Sequence, residues 1–216
     1  IMDVKVKSIF SHLSTSDLPN EKEFTLGQIK NFDVSSSLLI EGLGYQPIRH
    51  ILNSAGIDHY PEYQYDMVRI GIGMLGLSGN PAMQAKLQRT VSFKTVISQI
   101  SLVEKGESVG YNRNYKTNDV RKIATIPVGY ADGIPRAIGN LKGKVGIHGQ
   151  LVPIVGNVCM DMMMIDVSNI EAKEGDEVIL FNGTPSLENF SEYCNTIPYE
   201  VLTSISRRVK RIYIKN

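Results

Sequence analysis

The sequence predicts an α/β portion followed by a mainly antiparallel β-domain, and three observations carry that prediction. Short apolar runs alternate with helical stretches as far as about residue 90. Beyond that point the apolar period changes to two. Seven short strand-like runs then follow, separated by turn residues, the texture of an antiparallel sandwich or barrel. The domains are drawn at 1–88 and 89–216.

Ile1–Phe10 reads as a strand, with the apolar run continuing to Leu13. A chain that opens inside a strand is expected to be part of something longer. Thr25–Leu43 reads as a helix that opens on Thr25-x-x-Gln28, a capping-box spacing. Ile48–Asn53 is the next strand, a short helical or irregular segment follows, and Met67–Ile72 is a third strand candidate. Strand–helix–strand alternation points to βαβ units and a parallel sheet. Three strands are too few to close a barrel or to complete a doubly wound sheet. In the second portion the strand-like runs are Val91–Ile100, Lys122–Val128, Lys144–His148, Val152–Val155, Cys159–Val167, Glu177–Phe181 and Arg211–Ile214. Turn signals such as Gly139-Asn140, Gly149-Gln150 and Asn182-Gly183 lie between them. Helical stretches at Leu187–Cys194 and Tyr199–Arg207 precede the last run.

Composition narrows the function classes. With 23 basic and 22 acidic side chains the 216 residues carry a formal charge of +1, which argues against a nucleic-acid surface or a polyacidic tail. Hydrophobic residues at 42% suffice for a real core. No uncharged apolar run approaches the ~18 residues of a transmembrane helix, and the strand-like Ile1–Phe10 has neither the apolar h-region nor the cleavage site of a signal peptide. Cys159 and Cys194 form neither a CxxC nor a disulfide framework, which suits a reducing cytosol.

Several motifs have a chemical reading beside a structural one. Gly71-Ile72-Gly73-Met74-Leu75-Gly76 is a literal GxGxxG after a strand candidate. A dinucleotide fingerprint also requires an acid about 20 positions on, and residues 91–99 contain none. A glycine turn whose N–H groups approach some phosphate survives that objection; close packing of strand on helix is the structural alternative. Arg69 is either a surface ion-pair partner or, with a phosphate on Gly71 and Ile72, a recognition residue for the same ligand. His12, at the end of the first strand, is either packed or catalytic. His50, His59 and His148 have no metal-ligand spacing, so no metal is expected. Gly110-Tyr111-Asn112-Arg113-Asn114-Tyr115 and Gly129-Tyr130-Ala131-Asp132-Gly133 are loops rich in Tyr and Gly. A tyrosine base there requires cationic neighbours or hydrogen-bond donors to bring its pKa down. Met162, Met163 and Met164 read as gap-fillers in a strand buried on both faces.

Taken together and in order, these segments resemble the alanine racemase family. The resemblance runs over essentially the whole chain, through Phe10-Ser11-His12, Asn53-Ser54-Ala55, Val68-Arg69-Ile70-Gly71-Ile72, Gly110-Tyr111, Gly129-Tyr130-Ala131-Asp132-Gly133, Cys159-Met160-Asp161 and Ile197-Pro198-Tyr199-Glu200-Val201. It implies a partial (β/α)8 barrel, about its last three strands, followed by the β-domain. A complete barrel takes about 250 residues. The resemblance therefore implies a C-terminal fragment, inactive alone, without the regions of the lysine that carries the cofactor and of the arginine that binds the substrate carboxylate. The parent activity is interconversion of L- and D-alanine for cell-wall peptidoglycan. The implied parent is a cytoplasmic bacterial homodimer with shared active sites, with pyridoxal 5′-phosphate that this fragment does not retain covalently.

Position by position, the resemblance makes Tyr111 a base on the L-alanine face, working in the partner subunit's site. Arg69 would hydrogen-bond the cofactor's ring nitrogen, and His12 would lie between Arg69 and Tyr111. Ser54, Gly71, Ile72 and Tyr199 would hold the phosphate, Met160 would offer its N–H to the substrate carboxylate, and Tyr130 and Arg136 would line the entrance. Asn157 stands where many relatives carry an arginine in the access corridor. Two readings from other classes are a nucleotide-binding module resting on Gly71–Gly76 and a non-catalytic dimerisation domain built on the β-half.

Overall fold

A computed structural model describes residues 4–214; residues 1–3 of the predicted first strand lie outside them. Backbone contacts divide the chain into two compact units, one ending at Thr90 and the other starting at Val91. Among the described residues no helix is long and apolar enough to cross a membrane.

The first unit is a βαβ arrangement. Strand β1 (Ser8–Phe10) pairs in parallel with β2 (Ile48–His50), Phe10 opposite His50, and helix α1 (Lys22–Leu43) connects them. Thr25, Ile29, Phe32 and Ser36 recur every three or four residues and form the buried stripe of α1. With Leu13, Ile51, Leu52 and Tyr60, Ile29 and Phe32 form the core of the unit. The helix stops at Gly44, whose φ of 69° and N–H to the Ile40 carbonyl make a left-handed cap.

The predicted capping box is corrected by the structure. A 3₁₀ turn at Pro19–Glu21 starts the helix one turn earlier, so Thr25 lies inside it. Thr25 Oγ1 donates to the Glu21 carbonyl and bonds Thr15 Oγ1. The Gln28 side chain accepts from Ser14 N–H at 3.1 Å and donates to the His12 carbonyl at 3.4 Å. The pair therefore ties the β1–α1 loop to the helix. After β2, helix α2 (Ser54–His59) opens on Asn53, whose Oδ1 accepts from Gly56 N–H at 2.8 Å.

Met67–Ile72 forms no regular strand. It lies beside the β2 segment through two backbone bonds, Asp66 N–H to the Arg49 carbonyl and Arg69 N–H to the Leu52 carbonyl. A four-residue 3₁₀ turn, Ile72–Leu75, follows. The GxGxxG motif therefore opens no dinucleotide-binding helix. Gly76 has its own steric reason: φ is 78°, and a Cβ there would meet the Gln88 carbonyl oxygen. Helix α3 (Pro81–Gln84) precedes the end of the unit.

The second unit is antiparallel. Its strands are β3 (Phe93–Val96), β4 (Gln99–Val103), β5 (Ser108–Val109), β6 (Tyr115–Lys116), β7 (Arg121–Ile126), β8 (Lys144–Ile147), β9 (Gln150–Val155), β10 (Met163–Asp166) and β11 (Glu177–Phe181). Seven of them form one sheet in the order β3-β11-β8-β9-β10-β7-β4. β3 and β4 are joined by two residues yet lie at opposite edges, so the sheet curls until its edges approach. The predicted single run Val91–Ile100 thus holds the whole of edge strand β3, a corner and the start of the other edge strand, β4. Phe181 packs against Phe93 and Phe190 with ring centroids 5.8 and 5.6 Å apart, the last from helix α4 (Leu187–Tyr193). Helix α5 (Pro198–Ser204) follows.

β5 and β6 form a separate hairpin, absent from the sequence reading because two-residue strands leave no period to detect. Cys159–Val167 is a strand only from Met163. Met163 and Met164 are buried, whereas Met162 is 45% exposed, so the gap-filling reading holds for two of the three. Arg211–Ile214 pairs with no strand, and Ile212 and Ile214 are exposed.

Candidate active site

In the first unit the predicted residues gather around Arg69. Its Nη1 donates to His50 Nδ1 at 2.6 Å, and its Nη2 donates to the Ser11 carbonyl at 2.8 Å and the Ile51 carbonyl at 3.2 Å. Nη2 also lies 3.2 Å from His12 Nδ1, and the guanidinium stands over the Phe10 ring. Arg69 makes no ion pair among the described residues, which answers the surface-partner alternative. A guanidinium only donates, so both imidazoles accept at Nδ1 and, when neutral, carry their proton on Nε2. Burial, and then the Arg69 charge, hold the His50 pKa below its ordinary 6.5. Burial also lowers that of Arg69. Both terminal nitrogens of Arg69 are engaged in this network, leaving Nε–H as the donor outside it.

Ser54, the first residue of α2, meets the glycine turn. Gly71 N–H and Gly73 N–H donate to its Oγ at 2.8 and 3.3 Å. One hydroxyl and two backbone donors converge there, with Ile72 between the glycines. A Cβ on Gly71 or Gly73 would lie 3.8 or 3.6 Å from Ser54 Oγ, in ordinary van der Waals contact. Donors at one end and a guanidinium Nε–H at the other suit an elongated anion with a phosphate and a ring acceptor. Tyr199, the fourth predicted phosphate residue, stands on α5 in the second unit, half-exposed.

In the second unit a cavity of about 550 Å³ is lined by Tyr111, Tyr130, Arg136, Met160 and Asp161, among others. Four of the predicted residues thus share one concavity. Tyr111 stands in the turn between β5 and β6 and is 70% exposed. Tyr130 and Met160 are held by backbone: Tyr130 N–H donates to the Cys159 carbonyl at 2.9 Å and Ala131 N–H to the Met160 carbonyl at 3.0 Å. The Met160 N–H takes no part in that pairing. Only glycine fits at 129, where a Cβ would stand 2.3 Å from the Cys159 carbonyl oxygen. Asp132 accepts from Gly129 N–H and from Arg208 Nε at 2.7 Å, and Arg208 Nη2 reaches Asp161 at 2.6 Å. Burial raises the Asp132 pKa, but the Arg208 and Gly129 hydrogen bonds outweigh it and hold the carboxyl below its ordinary 3.8.

Three participants escaped the sequence reading. His50 was set aside for lacking metal spacing, although it ends the strand paired with the one that leads to His12. Arg208 lies far along the chain from its two carboxylates. Asn157, named in the sequence only for its place in the access corridor, is 4% exposed and donates to the backbone of the turn that carries Tyr111. Among the described residues no three His, Cys, Asp or Glu side chains gather as a metal site.

Comparison with known proteins agrees with this division. The family model for the alanine racemase N-terminal domain matches residues 2–79, and that for the alanine racemase C-terminal domain matches residues 90–213. The alanine racemase of Clostridium novyi (strain NT) is 40% identical over 99% of this chain and 57% of its own length; that of Cutibacterium acnes is 38% identical over 98% and 58%. Among solved structures, alanine racemase of Clostridium difficile 630 in complex with cycloserine gives a TM-score of 0.88 at 36% identity, covering 98% of this chain and 57% of that one. The Bartonella henselae enzyme with covalently bound pyridoxal phosphate gives 0.83 at 32%, with the same coverage. The chain thus spans about 57% of the length of these relatives. Two domain models of one family match it in chain order, on either side of the change in texture near residue 90, and the chain belongs to the alanine racemase family.

Proposed function

We propose that this chain supplies the C-terminal part of a pyridoxal-phosphate-dependent racemase that interconverts L- and D-alanine. The carrying observation is Arg69, a cation with no carboxylate partner among the described residues, both terminal nitrogens bonded and Nε–H left over. Pyridoxal 5′-phosphate, when bound, supplies an electron-accepting ring that acidifies the α-C–H of an attached amino acid.

Ser54 with the Gly71, Ile72 and Gly73 backbone would hold the phosphate, joined by Tyr199. Arg69 would donate Nε–H to the ring nitrogen. A guanidinium keeps its proton at any physiological pH, so Arg69 would donate to that nitrogen without protonating it and would leave the ring a weaker sink. A weaker sink favours prompt return of the proton to carbon over transfer to another atom. Tyr111 would take or return the α-proton at its Oη on the L-alanine face, working in the partner subunit's site. His12, with Arg69 on Nδ1, offers Nε2–H, a donor of the kind that stabilises a phenolate and lowers a tyrosine pKa. Met160 N–H would orient the substrate carboxylate, and Tyr130 and Arg136 would line the approach to it.

The reading places the activity in a homodimer in the bacterial cytoplasm, providing D-alanine for peptidoglycan. It is the activity of a protein as long as the relatives, and the 216 residues alone are expected to show none. Joining this chain to the remaining N-terminal segment of the Clostridium novyi relative provides the test. A yellow chromophore abolished by borohydride, with racemisation of L-alanine, is expected. A folded product with neither would overturn the proposal.

A further inference from the structure

Three side-chain hydrogen bonds converge on one buried amide beneath the cavity. Asn157 lies between β9 and β10 and is 4% exposed. Its Nδ2 donates to the Tyr111 carbonyl at 2.9 Å. Its Oδ1 accepts from Asn114 Nδ2 at 3.1 Å and from Asn140 Nδ2 at 2.9 Å.

These partners belong to two turns that are remote in sequence. Tyr111 and Asn114 bracket the turn between β5 and β6. Asn140 follows the 3₁₀ turn Arg136–Ile138, which carries another residue of the same cavity. Each turn holds two consecutive non-glycine residues at positive φ: Asn112 at 63° and Arg113 at 53°, Asn140 at 57° and Leu141 at 70°. L-residues keep such conformations only where their surroundings hold them. The Asn157 side chain is the hydrogen-bonding group the two turns share. Tyr111 is itself largely exposed, so the position of the residue is set through its backbone.

We propose that Asn157 is a positioning residue: its carboxamide clamps the Tyr111 turn and the Arg136 turn to one point and so sets where the tyrosine stands on the cavity rim. The catalytic importance of that placement rests on the reading of Tyr111 as a base; the clamp itself does not. The amide is suited to the task because it donates to a carbonyl while accepting from two other amides. A carboxylate could keep both acceptor bonds but could not donate, and a guanidinium could do the reverse.

That asymmetry provides the test, made on the full 216-residue chain and read without any activity, so that a failure of the racemase reading leaves it intact. In Asn157→Asp, amide hydrogen exchange across residues 110–114 is expected to rise roughly fivefold, the equivalent of one net hydrogen bond. The carbonyl carbon-13 resonance of Tyr111 should move as its donor is lost, while exchange across residues 138–143 stays as in the parent chain. Asn140→Ala, which leaves the Tyr111 bond intact, keeps the test informative if the first variant folds poorly. It should loosen residues 138–143 and, through the freed amide, weaken protection across 110–114. The proposal is overturned if Asn157→Asp leaves the Tyr111 resonance and its turn unchanged. It is equally overturned if either variant raises exchange uniformly over the β unit.

Discussion

In the α/β unit a charged side chain is gripped directly: Arg69 meets three carbonyls, two imidazoles and a phenyl ring at the ends of two parallel strands. In the β unit Tyr111, Tyr130 and Met160 are exposed, and the backbone beneath them is held instead, by Gly129 against Cys159 and by Asn157 under Tyr111. The first unit has a site whose electrostatics are set by its own side chains. The second has a rim whose geometry is set by its turns. Holding a cofactor requires fixed charges and donors, whereas receiving a substrate requires shape and access, so the contrast agrees with the division of work proposed for them.

Glycine substitution should separate the two units most sharply. Gly129→Ala forces a Cβ to 2.3 Å from a backbone oxygen and is expected to cost about 3 kcal/mol or more. Gly73→Ala, with 3.6 Å to the nearest atom, should stay within about 1 kcal/mol. Thermal unfolding of the two variants checks this. Equal losses would mean that the glycine turn is as tightly packed as the cavity rim.

Arg69→Lys comes next. An ammonium cannot keep the planar fork that reaches carbonyls and imidazoles together, and a loss of about 2 kcal/mol is expected, felt in the first unit. Hydrogen exchange across residues 48–53 provides the readout. A loss spread over both units would contradict a local grip.

Acid should act on the two units in different windows. His50 is held neutral in the folded chain, so below pH 6.5 the unfolded state binds a proton that the folded state refuses. Stability of the first unit therefore falls as pH drops through the ordinary 6.5, and His50→Asn flattens that slope. Asp132 is held charged, so its contribution is complete above its ordinary 3.8 and is lost only as pH falls below that value. Urea unfolding followed separately in each unit would show whether the order is reversed.

The smallest effect concerns the cysteines. Burial, and then Glu200, push the Cys194 thiol up to about 12, while Cys159 borders the cavity. Brief alkylation near neutral pH should label Cys159 first, as read by peptide mass.

Much of this was legible in the residues, for reasons that differ by element. The helical stretch Thr25–Leu43 is legible as most of α1, and short strand-like runs set between turn residues mark β7 to β11. Segments whose role depends on distant partners were not legible. Thr25 and Gln28 have capping spacing but anchor the His12 loop, because Pro19 starts the helix earlier. Met162 shares its composition with Met163 and Met164, but it lies just before β10 begins. His50 acquires meaning only through a strand register, and Asn157 only through two turns with no local pattern.

Proton exchange at the substrate α-carbon tests the central claim most directly. It would be followed in deuterated water with the chain completed by the Clostridium novyi N-terminal segment, with and without Tyr111→Phe. The parent should exchange the α-hydrogen of both alanine enantiomers. The variant should lose exchange from L-alanine by about 100-fold or more while keeping far more of it from D-alanine. Undiminished exchange from L-alanine in Tyr111→Phe would contradict the role given to Tyr111 and leave the β unit without its proposed chemistry.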